Sequence, residues 1–309
     1  MDVLERAREQ DAVVTPDPAG RCFLCGGRSD RALWHENGYS AMQCDCGVLY
    51  ASPTPALDAV DPTEDPHLAS FYDMPAAMKV DWLHRHKPGG RLVEVGCGDG
   101  YFLSAARARG YDVAAIEAHA GRTASVREKF GIEVEHAFIE ETQWPQNSCD
   151  VVFHCDLLSH FPDPLLALRR MRGLLRPDGV MYFEVGIVAD LAPFWYRLMA
   201  TIQMPAHRWL YTEPALEMLL DRAGFRIERV RRFGLAPAYL VSRFGRLIGY
   251  GGGATTPADQ VKTRKPRPES ALRARVYSFL RYRVGPFAAG IGPQTILVIA
   301  RPKRPNECT

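Results

Sequence analysis

No stretch of this 309-residue chain holds about eighteen consecutive apolar residues, so nothing in it reads as a membrane-spanning helix. It opens without a basic n-region leading into an apolar h-region, which sets the expectation of a cytoplasmic protein. Neither sign of charge dominates: 38 Lys and Arg stand against 36 Asp and Glu, a net charge of +2. Steering of an anionic partner would therefore have to come from local clusters. A disulfide framework is missing too. Cys22, Cys25, Cys44 and Cys46 sit together, while Cys97, Cys149, Cys155 and Cys308 are scattered, a layout that suits one metal site plus free thiols. What is present, 47% apolar and 24% charged residues, suffices for one large core with a small appendage.

The chain is organised around Arg91-Leu-Val-Glu-Val-Gly-Cys-Gly-Asp-Gly100. Leu92, Val93 and Val95 make the short apolar run of a strand buried on both faces, and Gly96, Gly98 and Gly100 allow a sharp turn and close approach to a ligand. Tyr101 to Arg109 follows at helical spacing and stops at Gly110. Strand, glycine turn and helix form a cofactor cradle. Glu94, two residues before the first glycine, would repel a pyrophosphate and suits a cationic ligand. The next strand, Asp112 to Ile116, ends at Glu117, where an acid can accept hydrogen bonds from both hydroxyls of a ribose; that feature alone fits a nicotinamide dinucleotide equally.

Over residues 70 to 235 these features resemble the class I S-adenosylmethionine-dependent methyltransferases. The resemblance continues in Asp150-Val-Val-Phe153, His160-Phe-Pro-Asp-Pro164 and Leu175-Arg-Pro-Asp-Gly-Val-Met-Tyr-Phe183, in the family's order and spacing. It implies an α/β, Rossmann-like methyltransferase sheet with a small N-terminal zinc-binding module and a late insertion. It also implies a cofactor site drawn from Tyr72, Glu94, Gly96, Gly98, Gly100, Tyr101, Glu117, Ala118, Phe138, Ile139 and His154. Tyr72 would cover the methionine end, and Phe138 and Ile139 fall where the family contacts adenine. His160 is the expected general base for a hydroxyl acceptor, because the family often has His there and an imidazole titrates near neutral pH. His207, entering from the apolar stretch Leu191 to Met204 read as a substrate lid, is the alternative base. Ser159 departs from the family's common Glu.

Cys22-Phe-Leu-Cys25-Gly26 and Cys44-Asp-Cys46-Gly47 each end in glycine, which permits the left-handed turn that points N–H groups at thiolates. Four thiolates predict a closed, structural Zn²⁺ site rather than a catalytic one. The second pair has one intervening residue where the usual knuckle has two, and His35 is an alternative ligand. The expected organisation is a mobile arm at 1–20, a zinc module at 21–52, a linker at 53–70 and the methyltransferase domain at 71–309, with an insertion at 234–293. Within that insertion, eight Lys and Arg between Lys262 and Arg283 face Glu269 alone. They suit a solvated helix face, an anionic substrate or peripheral membrane contact. The reading is O- or N-methylation of a small-molecule or glycosidic acceptor, in sugar, polysaccharide or secondary-metabolite biosynthesis. The alternative is a zinc-ribbon RNA methyltransferase or nucleic-acid-binding protein, against which the cysteine segment itself is not basic.

Overall fold

A computed structural model describes residues 20–55, 69–199, 201–235 and 279–304. The arm at 1–20 up to its last residue, most of the linker, and the basic stretch of the insertion before Phe279 lie outside the described residues. So do the side chains of 69–74, Tyr72 among them.

The sheet centre is β4 (Arg91–Val95), flanked in parallel by β5 (Asp112–Glu117) and β7 (Cys149–Cys155). Outward from β5 lies β6 (Glu133–His136), and from β7 lies β8 (Leu175–Ile187), both parallel. The last strands, β10 (Phe225–Phe233) and β11 (Gln294–Pro302), pair antiparallel, and β11 closes onto β8. The order β6-β5-β4-β7-β8-β11-β10 is the Rossmann-like arrangement with its final strand reversed. Arg176 to Gly179 form an excursion within β8: Cys149 pairs with Leu175, yet Val151 already pairs with Val180.

Aromatic residues clamp the helices to the strands. Phe102, on α2 (Tyr101–Ala108), stacks on Phe153 of β7 at 3.6 Å, and Tyr182 of β8 lies 5.0 Å from Phe153. Trp82, on α1 (Ala69–His84), meets Tyr182 at 5.5 Å. Such pairs add about 0.5–1.5 kcal/mol each beyond burial. Side chains cap the helices locally. His119 caps α3 (Ala120–Phe130). Asp163 caps α4 (Pro164–Leu174), whose first residue is proline, by accepting from Leu166 N at 3.0 Å. Thr212 caps α6 (Glu213–Arg222) through Ala215 N at 3.1 Å.

The cysteine segment is continuous with this sheet. Strands β1 (Ala32–Glu36), β2 (Tyr39–Gln43) and β3 (Val48–Ser52) form an antiparallel meander, and β3 pairs with β9 (Trp209–Tyr211). In turn β9 joins β8 at Ile187 alone, past the last β7 pairing at Glu184, so the meander grows from the carboxyl end of β8. The expected lid is a correction. Around α5 (Pro193–Leu198), Tyr196, Met199, Ile202 and Met204 are buried against Ala41, Leu49, Ala51 and Leu210. The Glu36 carboxylate accepts from Ile202 N at 3.0 Å and from the Thr201 hydroxyl. These apolar residues needed a core, and the meander supplied one, so the stretch is a strut between the two parts.

Candidate active site

The parallel strands end at a cleft of about 420 Å³ lined by Glu94, Gly96, Gly98, Tyr101, Glu117 and His160 among others. Its floor is built by the glycine turn: Gly96, Gly98 and Gly100 have φ of +69°, +52° and +77°. A Cβ on Gly98 would meet nothing within 4 Å, whereas one on Gly96 would strike Leu157 at 2.8 Å. Gly100 does not line the cleft. Its missing Cβ lets α2 approach Val126 and Phe130 of α3, which a Cβ would meet at 3.1 Å.

Glu94 is 4% exposed, and its Oε2 has no hydrogen-bond partner among the described residues. Burial pushes this carboxyl well above the usual carboxylate range; Lys79 pulls it down and Glu117 adds to the rise. A carboxylate so placed would be satisfied by a cationic group entering the cleft. Glu117 accepts from Gly98 N at 3.1 Å and His119 N at 2.9 Å, so the acid at the end of β5 also braces the glycine turn.

Other expected contacts sit elsewhere. Ala118 offers its carbonyl to His136 Nε2 at 3.0 Å, Phe138 is 59% exposed and Ile139 is buried in the core; none of the three lines the cleft. His154 is corrected outright. Strand alternation sends Phe153 and Cys155 to the cleft and His154 to the opposite face, fully buried and stacked on Phe183 at 4.9 Å. Neither of its ring nitrogens has a partner.

His160 lines the cleft half-buried. Burial holds its pKa below the ordinary imidazole value. Ser159, in place of the family's Glu, fixes the neighbouring segment instead: its carbonyl accepts from Arg208 N at 2.8 Å and Trp209 N at 3.3 Å. His207 packs against His160 at 4.9 Å but is buried and does not line the cleft.

Burial lowers both His154 and His207 to about 3, with His160 adding to the shift at His207. Below pH 6.5 the unfolded chain therefore binds protons that the folded chain excludes, and stability is lost as pH falls. Between pH 6.5 and 5.5 each imidazole should cost about 1 kcal/mol. In denaturant titrations His154→Phe should flatten this acid slope and raise stability at pH 5.5; an unchanged slope would refute the assignment.

An ionic cluster lies at and behind the cleft wall. Lys79 of α1 reaches Glu184 Oε2 at 2.8 Å and Cys155 Sγ at 3.0 Å. Arg281, from the π-helical turn Leu280–Val284, donates to Glu184 and to Thr295 Oγ1 at 3.0 Å. Burial alone would raise the Glu184 carboxyl, but Lys79 and Arg281 hold it below the ordinary value. Glu184 is thus an anchor for two cations.

The four early cysteines converge: their sulfurs all lie within 4.8 Å of one another, with Cys22 and Cys46 at 3.5 Å and Cys25 and Cys44 at 3.2 Å. Gly26 and Gly47 have φ of +72° and +88°. His35 instead bonds Ser40 Oγ at 2.9 Å.

A family model described as a methyltransferase domain matches residues 72–230, just over half of the chain. Among curated proteins, the ubiquinone biosynthesis O-methyltransferase of Actinobacillus pleuropneumoniae serotype 5b (strain L20) is 32% identical over 121 residues. That match covers 35% of this chain and 51% of the relative. The malonyl-acyl-carrier-protein O-methyltransferase of Serratia marcescens is 28% identical over 143 residues, 42% of this chain and 55% of the relative. The chain thus spans about half the length of these relatives. Among solved structures, PH0226 from Pyrococcus horikoshii OT3 shares the fold with a TM-score of 0.52 at 14% identity, covering 79% of this chain and 97% of that one. The 4+2 cyclase SpnF does so at 0.50 and 19%, covering 78% and 86%.

Proposed function

This chain belongs to the class I S-adenosylmethionine-dependent methyltransferases, and from that premise we propose that it transfers the methyl group of S-adenosylmethionine to a hydroxyl of a small-molecule or glycosidic acceptor. The observation that carries the cofactor is Glu94, a buried carboxylate with an unsatisfied oxygen facing the cleft. It suits the cationic amino end of S-adenosylmethionine and would repel a pyrophosphate. Glu117 would take the ribose hydroxyls, and Gly98 leaves the space for the nucleoside. The cofactor supplies an activated sulfonium methyl, so the chain's task is to orient the acceptor and accept its proton. Oxygen is favoured as the methylated atom by the names of the relatives and by His160, which is neutral at pH 7 and so able to take a proton.

His160→Ala should lower turnover by about 10² to 10⁴ and leave S-adenosylhomocysteine affinity unchanged. Wild-type rate should fall on a limb below pH 6.5 as the ring protonates. Incorporation of labelled methyl groups into a host small-molecule extract reads both. Wild-type turnover in His160→Ala would make the histidine structural and the hydroxyl assignment wrong.

The four cysteines support a second part of the proposal, a structural zinc. Tetrahedral zinc with bonds of about 2.3 Å sets its sulfurs about 3.8 Å apart, close to the separations here. With four thiolates committed, the metal would have no open position for chemistry.

A further inference from the structure

Asp156 is the residue at the cleft that neither the glycine motif nor the family resemblance singles out. It follows the last residue of β7 and adopts φ of +50°, a left-handed conformation uncommon outside glycine and held only where surroundings impose it. Its N–H donates to the Glu184 carbonyl at 3.0 Å, and it lines the cleft together with His160. The strained backbone therefore aims one carboxylate into the cleft beside the imidazole. The Asp156 side chain is half exposed, while that of Glu184 behind it is 1% exposed.

The surrounding charges define what this carboxylate can meet. Cys155, Asp156 and Glu184 converge as a set of metal-ligating atoms, but Lys79 and Arg281 already bring positive charge to Glu184. Arg281 stands 3.9 Å from Asp156, an ion-pair distance without a short hydrogen bond. Lining the cleft, Asp99, Glu117 and Asp156 face Lys79 and Arg122, while burial holds Glu94 toward its neutral form.

Resting on the methyltransferase reading, we propose that Asp156 binds the acceptor, and that the acceptor is a neutral or cationic compound offering a hydroxyl or amine donor beside the methylated oxygen. A carboxylate or phosphate at that position would face Asp156, and among the described residues the cation nearest to it, Arg281, is already engaged by Glu184 and Thr295.

Asp156→Asn and Asp156→Gly test this, because both residues tolerate the left-handed backbone and so separate charge from strain. Purified full-length protein is incubated with labelled S-adenosylmethionine and serial dilutions of host small-molecule extract. Both variants should keep the wild-type thermal midpoint and S-adenosylhomocysteine affinity, while the half-saturating extract concentration rises about tenfold or more. The wild-type product should pass through an anion exchanger at pH 8. Unchanged half-saturation in both variants, or a labelled product retained on the exchanger, would overturn the proposal. Absence of any labelled product, with S-adenosylhomocysteine still bound, would instead remove the methyltransferase reading and this inference with it.

Discussion

Gly98→Val should abolish binding of S-adenosylmethionine, leaving no measurable heat on titration. Gly98 lines the cleft, and a Cβ there meets no protein atom within 4 Å, so the volume it would enter is the cleft's own. Valine adds two methyl groups to that space and forces a β-branched residue to φ of +52°. The second effect alone costs stability, of order 1–2 kcal/mol, and needs a control. Gly110 supplies it: φ is +96°, a Cβ again meets nothing within 4 Å, and it does not line the cleft. Gly110→Val should lose comparable stability yet bind normally. Equal binding by both variants would place the cofactor elsewhere.

Removing the metal ligands should reach further than the metal. Cys22→Ser combined with Cys25→Ser is expected to lose the one equivalent of zinc that protein purified without added metal should carry. Structural zinc contributes about 10 kcal/mol or more to the segment it folds. The meander is not isolated. Phe23 packs edge-on against Trp209 at 4.6 Å, Trp209 Nε1 donates to the Phe161 carbonyl at 2.8 Å, and the Tyr211 hydroxyl bonds the Leu158 carbonyl at 3.1 Å. These bonds hold the loop that carries His160. Metal loss should therefore lower methyl transfer much more than it weakens S-adenosylhomocysteine binding, a split visible by running both assays on one sample. Rapid reaction of all four thiols in the native protein, with no zinc released, would refute the site.

The cofactor half was legible because its physics is local. Glu94, Gly96 and Gly98 lie within one strand and turn, and Glu117 ends the next strand, so spacing fixes where they meet. The ionic cluster beside it was not. Lys79, Asp156, Glu184 and Arg281 come from a helix, two strand ends and the far edge of an insertion, and only the folded sheet joins them. His154 was misplaced for a different reason. Its strand runs one residue beyond it, to Cys155, and in a period-2 element that sets the face. The stretch Leu191 to Met204 misled because an apolar, aromatic segment reads alike whether it covers a ligand or packs on a neighbouring hairpin. Helix caps at Asp163 and Thr212 were readable, since a cap is decided within four residues.

Isothermal titration of the wild-type chain, first with S-adenosylmethionine and then with NADH, bears most directly on the central claim. The account predicts saturable one-to-one binding of S-adenosylmethionine, weakened by about 1.5–3 kcal/mol in Glu117→Ala, and no binding of NADH. Binding of NADH with none of S-adenosylmethionine or S-adenosylhomocysteine would contradict it.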